Sequence, residues 1–364
     1  MKATAAVFMG PHKPFDVREF DITPPPAGYA RLELIASGIC GTDLHMHNGK
    51  LAVSAPSIIG HEFVGRITAA DAAQAQSYGL KIGDAVIADI AVPCGECILC
   101  KNGDDANCVN MQVTNGGSID VAPYLYGGYA QVNYTPLANL IKVPDSVDPT
   151  VAATFACPGP TAIHACRLAA QAGVNLSGIQ VAVVQGLGPV GAFSVLYLKK
   201  MGVRKVCVIT AHEDPKRTQL AMRLGADQVF CLEKDGVEAV TKAIGAENGG
   251  LGADLCIEAS GSPKAIVQGM EILRNRGVYL IPGQYSASGG IEIQPQTITF
   301  KALHIIGSSQ YSVQDVQLYV EFLKDNPDLY PLILELSARY PVAQINEAIA
   351  AARNTGHIKT LLIP

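Results

Sequence analysis

The segment from Gly186 to Gly191 constrains the fold more than any other part of the chain. It reads Gly-Leu-Gly-Pro-Val-Gly, follows the apolar run Val181–Val184 and opens a second apolar run. A strand that turns through glycines into a helix leaves the amide groups of the helix N-terminus free for a pyrophosphate. We therefore predict a dinucleotide site formed by Gly186, Leu187, Gly188, Pro189, Val190 and Gly191. The alternative is a glycine-rich turn without a ligand.

The sequence around this loop predicts two kinds of structure. Beyond residue 180, predicted strands at 181–184, 206–209, 255–258 and 278–281 alternate with helical segments. Such alternation is typical of a doubly wound parallel sheet, the Rossmann arrangement of the α/β class. Before residue 155, short apolar strands alternate with Gly and Pro turns, which predicts a β-rich domain. A chain of 364 residues is also long for one core.

Four cysteines lie within fifteen residues and form a candidate metal site. Their pattern is C-x2-C-x2-C-x7-C, made by Cys94, Cys97, Cys100 and Cys108. Zinc binds four thiolates in a tetrahedron, and such a site has no open position, so we expect a structural zinc ion. An iron–sulfur cluster or four idle thiols are the alternatives.

Charge and hydropathy exclude two classes of partner. The net charge is −5 and no segment is rich in Lys and Arg, so we expect no nucleic acid. The apolar stretch 181–198 contains Gln185 and Pro189, so we expect a buried strand and helix and no membrane span. The N-terminus lacks the pattern of a secretion signal. With cysteines arranged as metal ligands, this predicts a cytoplasmic protein.

A second group of metal-binding residues is spread along the chain. Cys40 stands in Gly-Ile-Cys-Gly-Thr-Asp-Leu-His, His61 in Gly-His-Glu and Cys157 in Phe-Ala-Cys-Pro-Gly-Pro-Thr. One His and two Cys residues can hold a zinc ion with an open fourth position. With these motifs, the chain resembles the zinc-containing alcohol dehydrogenases of the medium-chain dehydrogenase/reductase superfamily, essentially from end to end.

The resemblance implies a role for each matching residue. Cys40, His61 and Cys157 would be ligands of a catalytic zinc ion, the second of two per chain, and Glu62 the acid beside them. Thr42 would supply the hydroxyl that binds the substrate oxygen, and His45 would relay the substrate's proton. Lys359 would contact the cofactor pyrophosphate, and Ile90 would line the substrate pocket. A buried thiol is the alternative for Cys157.

The residues after the second strand of the parallel sheet bear on the choice between NAD and NADP. An acid there would bind the ribose hydroxyls, but this chain has Thr210. His212 and Arg217 could attract a 2′-phosphate. Glu213 or Asp214 could instead reach the hydroxyls, and the basic residues could be only solvated. The balance slightly favours NADP.

The resemblance also implies architecture and activity. A discontinuous, GroES-like catalytic domain would comprise 1–157 and 305–364, and the cofactor domain 158–304. The reaction would be reversible hydride transfer between a small alcohol and NAD(P), giving an aldehyde or ketone, in a dimer or tetramer of the chain. A polyol or amino-alcohol dehydrogenase, similar to sorbitol or threonine enzymes, is the first alternative. A non-catalytic dinucleotide-binding protein is the second.

Overall fold

The computed structural model describes residues 1–284, 286–354 and 356–364. Its strands are β1 (Lys2–Val7), β2 (Asp16–Asp21), β3 (Tyr29–Ile39), β4 (Phe63–Ala69), β5 (Ala85–Ala88), β6 (Ala91–Val92), β7 (Gln112–Val113), β8 (Val132–Pro136), β9 (Leu140–Lys142), β10 (Val181–Gln185), β11 (Lys205–Thr210), β12 (Gln228–Cys231), β13 (Ala253–Glu258), β14 (Leu273–Ile281), β15 (His304–Gly307), β16 (Ser337–Pro341) and β17 (Lys359–Ile363).

The α-helices are α1 (Gly41–His47), α2 (Ala72–Ser77), α3 (Ile98–Lys101), α4 (Pro149–Thr154), α5 (Pro158–Gln171), α6 (Pro189–Lys200), α7 (Pro215–Arg223), α8 (Leu232–Asp235), α9 (Val237–Ala246), α10 (Pro263–Ile272), α11 (Pro295–Lys301), α12 (Val313–Asp325), α13 (Tyr330–Glu335) and α14 (Ile345–Arg353). Four 3-10 turns complete the described elements, at 105–107, 137–139, 327–329 and 342–344. Among the described residues, no helix is long and apolar enough to cross a membrane.

The chain divides into two compact units. The first contains residues 1–160 and 310–364, and the second contains residues 161–309. The functional assignment of each unit stays a prediction.

The first unit is built on a seven-stranded sheet. Its order is β16-β17-β3-β4-β5-β9, and β8 also pairs with β3. Apolar side chains of β1, β3 and β4 form its core, with Phe8, Leu32, Phe63 and Tyr129 almost fully buried. The long strand β3 ends one residue before Cys40, and β17 pairs with that same end of β3. This pairing brings the C-terminal strand beside the first predicted zinc ligand.

The second unit is a six-stranded sheet in the order β12-β11-β10-β13-β14-β15. All its neighbouring strands are parallel. Numbered from β10, the order is 3-2-1-4-5-6, the doubly wound arrangement that places ligands at the carboxyl ends of the strands. The predicted α/β class is confirmed. Val183 of β10 and Cys207 of β11 lie in its core.

Candidate functional site

The residues around Cys40 begin a short helix and hold its first turn rigidly. Cys40 precedes α1 in an extended conformation. Its backbone N–H donates to Oδ2 of Asp43 at 2.8 Å, a capping interaction from the third helical residue. Asp43 is fully buried, and its other oxygen lies 3.5 Å from Nδ1 of His61. One carboxylate therefore orients two of the predicted ligands.

Four predicted residues come together in the first unit. Ligand atoms of Cys40, His61, Glu62 and Cys157 all lie within 4.8 Å of one another. A hydrogen bond from Cys157 lowers the pKa of the Cys40 thiol well below its usual value, and raises the pKa of Cys157. Two thiols, an imidazole and a carboxylate this close together match the donors that zinc prefers. The donor set therefore fits a zinc ion.

Glu62 and Lys359 form a buried ion pair beside this cluster. Their charged atoms are 2.5 Å apart and both side chains are 0% exposed. Burial raises the pKa of Glu62 to about 7 against the opposing effect of Lys359. A Cβ atom at Gly38 would lie 1.9 Å from Oε2 of Glu62, so only glycine leaves room for the pair. The Lys359 ammonium is therefore buried in an ion pair with Glu62, and its predicted contact with the cofactor pyrophosphate stays a prediction.

Three other predicted residues lie on α1 or just after β5. Thr42 accepts a hydrogen bond from Sγ of Cys40 at 3.5 Å. His45 is three residues further along α1, on the same helix face, and it is half-buried. Burial lowers the pKa of His45 below its usual value. Ile90 is half-buried at the end of β5, and its carbonyl accepts from the Thr114 amide at 3.0 Å.

The four closely spaced cysteines also converge. The Sγ atoms of Cys94, Cys97, Cys100 and Cys108 lie within 4.8 Å of one another. Backbone amides point at the sulfurs: Cys94 N donates to Cys108 at 3.2 Å and Cys97 N to Cys94 at 3.4 Å. Amide donors stabilise thiolates, and the pKa of Cys97 is lowered to about 6, chiefly by the Cys100 amide. This group also fits a zinc ion.

The glycine loop joins β10 to α6 in the second unit. Gly186 has a φ of +90°, a left-handed conformation that favours glycine. A Cβ atom at Gly191 would lie 2.1 Å from the Gly186 carbonyl oxygen, so the helix packs directly on the turn. Gly188 caps α6 and Pro189 begins it. Leu187 is buried, and its carbonyl accepts from Arg217 at 2.5 Å. Arg217 therefore holds the loop itself.

A cavity of about 250 Å³ lies at the carboxyl ends of β10 and β11. Gly186, Thr210 and the exposed Lys264 line it. The Thr210 hydroxyl donates to the Phe230 carbonyl at 3.2 Å. His212 is largely exposed, with its side chain 85% accessible. Lys264 is a basic residue that the sequence analysis missed, because only the folded sheet brings α10 to this edge.

The acids after β11 already have partners. Glu213 pairs with Lys234 at 3.1 Å. Asp214 caps α7 by accepting from the Arg217 amide, and its other oxygen lies 3.9 Å from Nε of Arg217. Both acids therefore have basic neighbours, Glu213 in an exposed ion pair and Asp214 as the cap of α7.

Asp43 and Gly38 were also missed in the sequence. An acid three residues after a helix cap is a capping signal, and it could have drawn attention to Asp43. No local signal identifies Gly38, because its constraint comes from Glu62 and Lys359 in other parts of the chain.

Two protein-family models match the chain. An alcohol dehydrogenase GroES-like domain covers residues 26–145, and a zinc-binding dehydrogenase covers residues 189–325.

Individual relatives extend this similarity along the whole chain. L-idonate 5-dehydrogenase (NAD(P)(+)) of Escherichia coli is 30% identical, over 88% of this chain and 87% of its own length. L-threonine 3-dehydrogenase of Bacillus subtilis is 28% identical, over 92% of this chain and 90% of its own. Among solved structures, an alcohol dehydrogenase from Thermotoga maritima has a TM-score of 0.90 and 29% identity, with both chains fully covered.

Proposed function

The chain belongs to the zinc-containing alcohol dehydrogenase family, and from this membership we propose that Cys40, His61 and Cys157 bind its catalytic zinc ion. It is a zinc-dependent, NAD(P)-linked oxidoreductase that acts on CH–OH groups of small molecules. The observation that carries the assignment is the approach of these ligand atoms, with Glu62, to within 4.8 Å. Cys94, Cys97, Cys100 and Cys108 would hold the structural ion.

The residues of the chain position the reactants and move a proton. When bound, the zinc ion supplies a Lewis acid that polarises a substrate oxygen, and the nicotinamide exchanges a hydride with the substrate carbon. Asp43 orients His61 and the backbone of Cys40. Thr42 lies beside Cys40 and would take the substrate's hydroxyl proton. His45, kept neutral by its lowered pKa, would accept that proton next.

NADP is the preferred cofactor in this proposal. Glu213 and Asp214 are both engaged, while Lys264 and Thr210 line the cavity at the strand ends. An ammonium there attracts a 2′-phosphate, and Thr210 does not repel one. Lys264 therefore replaces Arg217 as the main basic contact in this proposal.

The proposed substrate is a primary or secondary alcohol, and a polyol or amino alcohol is the second candidate. The second candidate is favoured by the relatives named for L-idonate and L-threonine. Initial rates with NAD⁺ and NADP⁺ on a primary alcohol, sorbitol and L-threonine separate the two. Faster turnover of sorbitol or L-threonine than of the simple alcohol selects the second candidate.

The zinc assignment is tested by Cys157→Ser, with Cys166→Ser as the matched buried cysteine outside the cluster. We expect Cys157→Ser to lose most activity and one zinc ion per chain. Retention of both would contradict the ligand assignment, whereas Cys166→Ser should keep both.

We also propose that the protein is a homo-oligomer in the cytoplasm. Ile293 and Phe300 are large apolar side chains with exposures of 38% and 79%, and a second copy of the chain could cover them. All ten cysteines are free thiols, as is usual in a reducing compartment. Light scattering of the purified protein measures the oligomeric mass.

A further inference from the structure

A cavity of about 370 Å³ lies in the second unit, at the amino-terminal edge of its parallel sheet. Asp254 near the start of β13, Arg274 near the start of β14 and His304 at the start of β15 line it. The glycine loop follows the opposite, carboxyl end of β10. The five residues of that strand separate the two edges by roughly 17 Å. The cavity is therefore distinct from the cofactor site.

The single acid of the cavity is already neutralised. Oδ2 of Asp254 accepts from the Gln180 and Val181 amides at 2.9 and 2.8 Å. Its Oδ1 accepts from Nε of Arg274 at 2.5 Å. The carboxylate thus fixes the Arg274 guanidinium in place, and the two charges compensate each other. Nη1 of Arg274 also donates to the Asn275 carbonyl at 2.7 Å, which leaves Nη2 as the donor that Arg274 can offer to a ligand.

Arg276 leaves the cavity with an uncompensated positive charge. It lines the cavity and is exposed. Among the described residues, no ion pair or hydrogen bond engages its side chain. Its φ of +57° is uncommon for a residue with a side chain, and such backbone often marks a functional position.

An irregularity of β14 brings both arginines to this place. Leu273 pairs with Ala253, and the next pairing joins Val278 to Leu255. One residue of β13 is therefore opposed by the four residues 274–277, which bulge from the sheet edge. Arg274 and Arg276 both lie on this bulge.

We propose that this cavity binds a small phosphate-bearing anion, held by Arg274 and Arg276 with His304. The fork of Arg276 matches the oxygens of a phosphate group, and Arg274, oriented by Asp254, offers its remaining Nη2 donor. The cavity volume lies at the lower end of the range for small-molecule sites. The occupant is either inorganic phosphate or a phosphorylated metabolite, with the same recognised group.

The test is calorimetric titration of inorganic phosphate into the zinc-loaded full chain. The protein is first saturated with its reduced cofactor, so that the glycine loop cannot bind the titrant. We expect saturable binding of one phosphate per chain. Arg276→Ala should weaken it about tenfold or more, the usual effect of losing a charged hydrogen bond. Arg276→Lys keeps the charge but loses the fork, so its affinity should lie between that of Arg276→Ala and that of the wild type.

His304→Gln, on a different strand, should also weaken binding, which keeps the test valid if Arg276→Ala folds poorly. Lys242→Ala removes an equal charge from an exposed position of α9 in the same unit and should bind phosphate as the wild type does. A phosphorylated metabolite as the occupant would bind more tightly than phosphate and compete with it. Absence of saturable phosphate binding, or equal binding by Arg276→Ala and the wild type, overturns the proposal. So does a changed oligomeric mass in Arg276→Ala, which would make the cavity part of a subunit interface.

Discussion

Replacing Lys359 with methionine distinguishes a buried ion-pair partner from a cofactor contact. Methionine keeps most of the side-chain volume but removes the charge, so Glu62 loses its counter-ion in a site with 0% exposure. Breaking a buried pair by removing one partner costs about 3–5 kcal/mol. We therefore expect Lys359→Met to lower the free energy of unfolding by up to that amount at alkaline pH, and by less at acid pH, where Glu62 takes up a proton.

The assay is urea unfolding of the zinc-loaded protein, followed by far-UV circular dichroism because the chain has no Trp. The control is Lys2→Met, which removes an exposed pair with Glu19 at 3.5 Å. Exposed pairs contribute at most about 1 kcal/mol, so this variant should differ little from the wild type. The double variant Glu62→Gln/Lys359→Met should recover part of the loss, because no unpaired charge remains buried.

One result would refute this reasoning. If Lys359→Met unfolds like Lys2→Met but has a higher KM for the cofactor, then Lys359 contacts the pyrophosphate as the resemblance implied. A loss of stability with an unchanged cofactor KM would establish the ion pair as its role.

Four further outcomes follow from the geometry. Gly191→Ala should abolish cofactor binding measured by nicotinamide fluorescence, because a Cβ at Gly191 would lie 2.1 Å from the Gly186 carbonyl oxygen. Gly178→Ala, at a position with no atom within 4 Å of the added Cβ and no positive φ, should keep that binding, and equal affinities of the two variants would contradict the packing argument. Cys100→Ser should remove one zinc ion per chain by elemental analysis, and an unchanged zinc content would exclude the site. Lys264→Ala should raise the KM for NADP⁺ about tenfold and leave that for NAD⁺ unchanged, a split that a merely structural role would not produce. Burial raises the pKa of Asp89 from about 3.8 to about 8, so in that pH window the folded state holds a proton that the unfolded chain releases. Asp89 should therefore lower the free energy of unfolding by about 1.4 kcal/mol for each unit of rising pH, measured by urea unfolding as the difference in pH slope between the wild type and Asp89→Asn; equal slopes would contradict the shift.

Local sequence patterns predicted the sites whose residues lie close together along the chain. The four-cysteine motif and the glycine loop each lie within a few residues, so their convergence needs no knowledge of the fold. The alternation of strands and helices likewise predicted the parallel sheet. These features depend on short-range geometry, which the spacing of residues along the chain determines.

Long-range partners could not be predicted in this way. Lys359 meets Glu62 only because β17 pairs with β3 and Gly38 leaves space for both side chains. Arg217 similarly turns back to the Leu187 carbonyl, thirty residues earlier in the chain. The sequence alone does not show whether a basic side chain is free to bind a ligand, because its carboxylate or carbonyl partner can lie far away along the chain.

The charges buried around Cys40 explain why this cluster needs cations. Ligating thiolates at Cys40 and Cys157 would join the carboxylates of Asp43 and Glu62, which makes four negative charges, three of them on buried side chains. Uncompensated charges in such a place are far costlier than in water. Lys359 offsets one charge and a zinc dication offsets two more. Without the metal, the protein reduces the cost by keeping a proton on Cys157, whose pKa is raised by its hydrogen bond with Cys40 and by burial. Metal binding and thiol deprotonation are therefore coupled at this site, and removing Lys359 should weaken both.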